Sequence, residues 1–334
     1  MPYEGQLAAK TSHSDLVRNP DVAGFLSECE YLTPPGREEA AAMAAKYLVP
    51  PPFDDAPLPA TIMAIDGSYY EASMNERLPS TKVGYVKVGS VLILLQEYDS
   101  LRIDEGRFVD PFRVARLEDR NSPLAMPLPS ANVRWKGRES VRDSFRAAVD
   151  DHLAGVRTRF NAKDPSTSLR TTLFHLASTR NGELGTANPS LLKLHKCPNS
   201  ACSATRILLQ DLPEVQHCEA CGIELYPSDV LRIWEEVDEY QSNATPMTRF
   251  MLAVEHLLPV HYMRYLLASS PVALSGLSFF VDGPLAVFGT PAWLHAELLR
   301  SISKTNANLR LRGLSPVLLI GLQKTGQVVD RTLH

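Results

Sequence analysis

Two apolar runs in this chain, TIMAI at residues 61–65 and LSFFV at residues 277–281, each stop at an aspartate followed by glycine. Their apolar residues do not keep to one parity, as expected of central strands buried on both faces, so Asp66 and Asp282 stand where the chain is expected to leave the sheet. Strands are predicted over 60–68, 82–100 and 106–119, each bounded by turn residues, and three in succession suggest an antiparallel meander. A helix is predicted over 139–160, where Val141, Phe145, Val149, Leu153, Val156 and Phe160 follow helical spacing. Another is predicted over 246–268, with Thr245 as N-cap, Pro246 in the first turn and a kink at Pro259. The strand ending at Asp282, a helix from about Pro291 to Ser303 and a last strand over 316–326 complete the order. Ahead of all this, GREEAAAMAAKYL (36–48) is rich in helix formers, and the proline-rich stretch Pro50–Pro59 breaks it. The order predicts an α/β fold, a mixed sheet with helices packed on it over 60–334, preceded by a helical lead-in over 1–59. An RNase H-like fold is the best-known architecture of that order whose active site is a set of carboxylates.

Composition narrows the class. Of 334 residues, 44% are hydrophobic and 22% charged, ordinary for a globular protein. No apolar run approaches the roughly 20 residues that cross a bilayer, and the opening MPYEGQLAAKTSHSD lacks the order of a signal peptide, so a cytoplasmic protein with no membrane partner is expected. The net charge of −4 does not announce nucleic acid and does not exclude it. Basic residues are dense in RWKGRESVRDSFR (134–146), RTRFNAK (157–163) and KTNANLRLRG (304–313), each of which also reads as a solvated helix face.

The candidate chemistry lies in carboxylates and cysteines. Glycine after Asp66 and after Asp282 permits a sharp turn and the approach of a bulky ligand such as a phosphate backbone, although Asp-Gly is also a common turn dipeptide. Glu255 shares a helix face with Met251, Leu258 and Tyr262. It is either buried there, where it needs a partner or a metal, or at the wet edge of the stripe. Together Asp66, Glu255 and Asp282 would form a hard-oxygen site suited to Mg²⁺ or Mn²⁺, the kind that hydrolyses phosphodiesters. CPNSAC (197–202) and CEAC (218–221) supply paired thiolates that fit a structural zinc ribbon of Cys197, Cys202, Cys218 and Cys221, inserted at about 190–230. His195 and His217 adjoin the set, as substitutes for a cysteine or as surface residues. Cys29 reads as a buried small hydrophobe. Ser68 either bonds its turn or a phosphate, and Lys324 either reaches a phosphate oxygen or is a solvated turn lysine. No GxxxxGK[ST] loop is present, so ATP hydrolysis by this chain is not expected.

At IDGS, RFMLAVEHLLPVHYMRYLL, FFVDGPLAVFGTPAWL and LLIGLQKTG, the chain resembles the NurA family of DNA nucleases, in particular bacterial members with a zinc-ribbon insertion. The resemblance covers about residues 60–330, and DGPLAVFG is its most specific piece. It implies an RNase H-like core related to the Piwi domain, with manganese-dependent single-strand endonuclease and 5′ to 3′ exonuclease activity. It also implies a toroidal homodimer docked on a hexameric HerA-type ATPase, acting on DNA in end resection for repair or in defence against phage. By position, the family's aspartates fall on Asp66 and Asp282 and its helical glutamate on Glu255. Two departures stand out: Gln323 replaces a glutamate usual in similar bacterial sequences, and the chain stops at His334, ahead of a segment carrying a further histidine needed for activity. A piece of a longer protein is one expectation. The other is a shortened relative with weak or no nuclease activity that binds DNA or regulates the motor.

Overall fold

In this computed structural model the described residues are 19–30, 35–47, 58–103, 108–112, 114, 123–211 and 215–323. The chain divides into two compact units, 1–57 and 58–334. The first contains α1 (Pro20–Ser27), begun by Asn19, whose side chain accepts the Asp21 N–H, and α2 (Arg37–Tyr47), which matches the alanine-rich stretch.

The second unit is α/β, built on a mixed five-stranded sheet. Its strands are β1 (Thr61–Asn75), β2 (Leu78–Leu94), β5 (Leu124–Pro129), β10 (Leu277–Asp282) and β11 (Leu318–Leu322), in the order β11-β10-β1-β2-β5. Strands β1, β2 and β5 form an antiparallel meander, whereas β10 and β11 run parallel to β1. Between β2 and β5 lie α3 (Leu95–Asp99) and a small ladder of β3 (Arg102–Ile103) with β4 (Phe108–Val109).

Two strand expectations are corrected here. Residues 95–99 turn helical because β1 begins at Thr61, opposite Leu94, and offers no partner further along. The third strand of the meander is β5 and not 106–119, of which only Phe108–Val109 is strand among the described residues. Pro127 and Pro129 disguise β5 in the sequence, yet proline is admissible there because β5 pairs with β2 alone and is an edge. Leu124, Met126 and Leu128 are buried, which fixes its inward face.

Helices cover that inward face. The longest, α6 (Ala244–Ser269), packs on β1, β2 and β10, and α4 (Val141–Ala154) packs on β5. Helices α5 (Leu169–Ser178) and α8 (Trp293–Leu311) pack against α6, and the short α7 (Pro271–Ser275) leads into β10. The core between the layers includes Ile65, Val86, Val88 and Phe279 from the sheet and Phe250, Val254 and Leu257 from α6. Helix α6 runs uninterrupted through Pro259 and starts earlier than expected, after Asn243. The Asn243 side chain is occupied outside the helix, accepting the Asp238 N–H at 2.8 Å and donating to the Asp238 carbonyl at 3.0 Å. Helix α4 ends at Gly155, short of the predicted residue 160.

Four short strands form two further hairpins, β6 (Leu191–Lys196) with β7 (Thr205–Gln210) and β8 (Gln216–His217) with β9 (Glu224–Leu225). A buried ion pair ties the segment after them to α4. Arg146, from one of the basic stretches read as solvated, is only 3% exposed. Its guanidinium donates to both oxygens of Asp229 at 2.8 and 2.7 Å, to Asp143 at 2.9 Å and to the Glu224 carbonyl at 2.6 Å. Removing Asp229 would leave the buried Arg146 charge with Asp143 as its only carboxylate partner among the described residues. Asp229→Ala is expected to cost about 3–5 kcal/mol in urea unfolding. Glu183→Ala, which breaks the exposed pair of Glu183 with Arg206, should stay within about 1 kcal/mol of wild type.

Candidate functional site

The parallel pairing of β1 with β10 runs from Thr61 opposite Leu277 to Ile65 opposite Val281. The next residue on each strand is Asp66 and Asp282. Two aspartates 216 positions apart in sequence therefore stand at one level on adjacent strands, whose backbones lie about 4.8 Å apart. Asp66 does not stand where β1 leaves the sheet, as its Asp-Gly sequence suggested. It leaves β10 but stays paired with β2, opposite Gly89, and β1 continues to Asn75. Asp282 does end its strand, and Gly283 turns the chain at φ 87°, a left-handed value that favours glycine.

Glycine after Asp66 has a different use from the one after Asp282. A Cβ built at Gly67 would lie 2.6 Å from Glu255 Oε1 and 2.7 Å from Met251 Cγ, and one at Gly84 only 2.0 Å from Met247 Cε. Both glycines thus face α6, and their missing side chains let the helix come down onto β1 and β2. Gly67 makes room for a glutamate of this chain, where the sequence had suggested room for a ligand. Side chains alternate along a strand, so Asp66 and Ser68 face away from α6.

Glu255 is 2% exposed, which resolves its placement in favour of the buried face. Its carboxylate accepts a hydrogen bond from the Gly67 N–H, while Oε2 is buried with no hydrogen-bond partner among the described residues. Burial first, then the charge of Asp66 and that of Asp282, push its pKa up to about 7, and the Gly67 hydrogen bond only partly opposes this. A buried carboxylate with an orphan oxygen thus stands within electrostatic reach of two more carboxylates, while among the described residues only the four cysteines bring their donor atoms close enough together to hold a metal ion.

A cleft of about 370 Å³ opens on the side of Asp66 and Asp282, lined also by Ser68, Lys87, Gly89 and Phe280. Lys87 escaped the sequence reading because nothing in its own strand marks it; it comes to the site only because β2 sets it opposite Ser68. Gln323 follows the end of β11, and Lys324 lies outside the described residues.

The four clustered cysteines converge. Cys197 and Cys202 occupy the turn between β6 and β7, and Cys218 and Cys221 the turn between β8 and β9. All four Sγ atoms lie within 4.8 Å of one another, with Cys197 to Cys221 at 3.6 Å and Cys202 to Cys218 at 3.9 Å. Those two separations bracket the about 3.8 Å between thiolates arranged tetrahedrally at 2.3 Å from zinc, and are far too long for disulfides. The Ile223 backbone N–H pulls the Cys221 thiol down to about 7, while burial pushes Cys197 up. His195 and His217 are exposed and stand outside the set. Cys29 is half-buried rather than buried, its thiol bonded to the Phe25 carbonyl.

No family model matches this chain, and neither a curated protein nor a solved structure matches it. Among the described residues no helix is long and apolar enough to cross a membrane.

Two measurements follow from the geometry. Metal-free protein should lose stability as pH rises from about 4.5 to 7. Over that range the unfolded chain has released the Glu255 proton and the folded chain still holds it, so unfolding gains as pH rises. The loss is on the order of 3 kcal/mol, and Glu255→Gln should flatten it in urea titrations at successive pH values. Metal analysis of the purified protein should find one zinc per chain, and Cys218→Ser should lower both zinc content and Tm.

Proposed function

We propose that this protein is a metal-dependent DNA nuclease. The observation that carries the reading is that Asp66 and Asp282 follow paired residues on adjacent strands, near enough for their charges to raise the pKa of Glu255, whose buried Oε2 has no partner among the described residues. Asp66, Glu255 and Asp282 would hold Mn²⁺ or Mg²⁺. Such ions, when bound, supply activation of water and stabilisation of the leaving oxygen of a phosphodiester. The chain's own part is positional. Glycines 67 and 84 let α6 approach, the Gly67 N–H orients the Glu255 carboxylate, and the paired strands β1 and β10 set the two aspartates side by side.

The topology supports an RNase H-like core: a three-stranded antiparallel meander, two further strands parallel to its first strand, and carboxylates on the first and fourth strands of the sheet in chain order. The hairpins bearing the four cysteines support a structural zinc ribbon within that unit. With the motif resemblance, these features support a NurA-type nuclease of the cytoplasm, a homodimer working with a HerA-type hexameric ATPase in DNA end processing or phage defence. A second reading, a nuclease-fold module that binds DNA or regulates the motor with little cleavage of its own, rests on Gln323 at the end of β11, where similar sequences carry glutamate.

The test is cleavage of end-labelled linear and single-stranded DNA with Mn²⁺, alone and with a cognate HerA-type ATPase. Asp66→Ala and Asp282→Ala should each slow cleavage by roughly 100-fold or more, the scale of losing one electrostatic stabiliser of a transition state. Equal cleavage by the variants would sink the nuclease assignment. No cleavage by the wild type under either condition would favour the second reading.

A further inference from the structure

A cleft of about 480 Å³ lies where the loop after α5 meets the β6–β7 hairpin, and its lining shares no residue with the carboxylate cleft. Arg180 lines it from the loop, and His195, Thr205 and Arg206 line it from the hairpin. The β6–β7 ladder pairs Leu194 with Ile207 and Lys196 with Thr205 but is broken between them, where His195 and Arg206 stand opposite each other. Arg206 has φ 55°, a left-handed value that is costly for a residue with a side chain. Outliers of this kind gather at ligand clamps, and both residues at this break line the cleft. Arg206 is held by Glu183 at 2.6 Å, but the two side chains are 62% and 76% exposed, so the pair is weak. Arg180 is half-buried, its guanidinium 4.2 Å from the centre of the Trp293 ring. Among the described residues it makes no ion pair, and Glu297, which attracts it, is bonded to Arg300 at 2.5 Å. Burial lowers the Arg180 pKa and the attraction of Glu297 does not make up the loss, yet a guanidinium keeps its proton at ordinary pH. A half-buried cation therefore lines the cleft with no counter-charge in contact.

We propose that this cleft binds a small phosphorylated ligand, with Arg180 from the loop and Arg206 from the hairpin gripping its phosphate group and Thr205 adding a hydroxyl donor. The proposal stands apart from the nuclease reading and uses none of its residues. The planar fork of a guanidinium matches phosphate oxygens two at a time. Two such forks suit a phosphomonoester, which carries about −1.5 to −2 charges at neutral pH, better than a carboxylate, which carries one. The volume falls within the roughly 300–1,000 Å³ of small-molecule sites. Glu183 competes for Arg206 and is exposed enough to turn into solvent when a phosphate takes its place. Lys193 braces the loop that carries it, its Nζ donating to the Glu183 carbonyl at 2.8 Å and the Gly185 carbonyl at 3.4 Å.

The test is isothermal titration calorimetry of the full chain without added Mn²⁺ or Mg²⁺, with inorganic phosphate, glycerol phosphate and acetate as probes. Inorganic phosphate or glycerol phosphate is expected to bind at a single site, and the tighter of the two tells whether the natural source is the free anion or a phosphomonoester. Acetate should bind roughly tenfold or more weakly than either. Arg206→Gly should weaken phosphate binding roughly tenfold or more while its Tm stays no lower than wild type, because glycine adopts φ 55° freely. Arg180→Lys, which keeps the charge and loses the fork, should weaken it as well. Glu183→Ala should tighten it roughly two- to fivefold, a gain that a purely structural ion pair would not produce. Absence of binding by the wild type, acetate binding as tight as phosphate, or Arg206→Gly binding as the wild type does would overturn the site. Displacement of phosphate by short DNA whose own affinity falls in Arg206→Gly would overturn the small ligand and make the cleft a nucleic-acid contact.

Discussion

The close approach of α6 to β1 and β2 is the constraint on which the site depends. Gly67 and Gly84, on neighbouring strands, leave no side chain between sheet and helix where Met247, Met251 and Glu255 descend. A larger residue at either position would force the helix outward or its side chains out of place. The layer spacing that closes the core around Phe250, Val254 and Phe279 is thus the same spacing that sets Glu255 beside two aspartates. Core packing and candidate chemistry share one contact.

That contact is electrostatically expensive. A carboxylate held at 2% exposure, with two others near it, resists ionisation and is driven toward the neutral form at ordinary pH. Nothing in the packing of α6 calls for an acid there, since Val254 and Leu257 beside it show that apolar residues fill the same layer. A buried acid whose pKa is raised in this way is a candidate for a functional group, since perturbed carboxylates gather at sites of chemistry. The cysteine hairpins show the opposite economy: their thiols converge away from the cleft lining, and their attachment is fixed by Arg146 and Asp229, a buried pair whose oxygens and nitrogens are bonded on both sides.

Much of the fold was legible along the chain. The helical spacing of residues 141–153, the strand ending at Asp282 and the alanine-rich α2 are local patterns, decided by side-chain periodicity or composition within one element. The failures were cases where partners decide. Residues 95–99 have strand-like composition but no strand to pair with, and β5 carries two prolines that only an edge can accept. Cys197, Cys202, Cys218 and Cys221 were legible as a set because their spacing within each pair is local, and the structure added that the pairs meet.

For the site, the sequence by itself determined which groups were available: two Asp-Gly pairs after apolar runs, a glutamate on an apolar helix stripe and four paired thiols. The tertiary structure alone decided their distances and their surroundings. Whether Glu255 was wet or buried depended on a rotation of α6 that periodicity leaves open, and two glycines on other strands settled it. Lys87 carried no local signal at all, because a lysine on an exposed strand face is unremarkable until the register places it opposite Ser68 in the cleft of Asp66 and Asp282. The physical reason is that periodicity is a property of one element, whereas a site is made of contacts between elements, and those follow from register and from how near two layers can come.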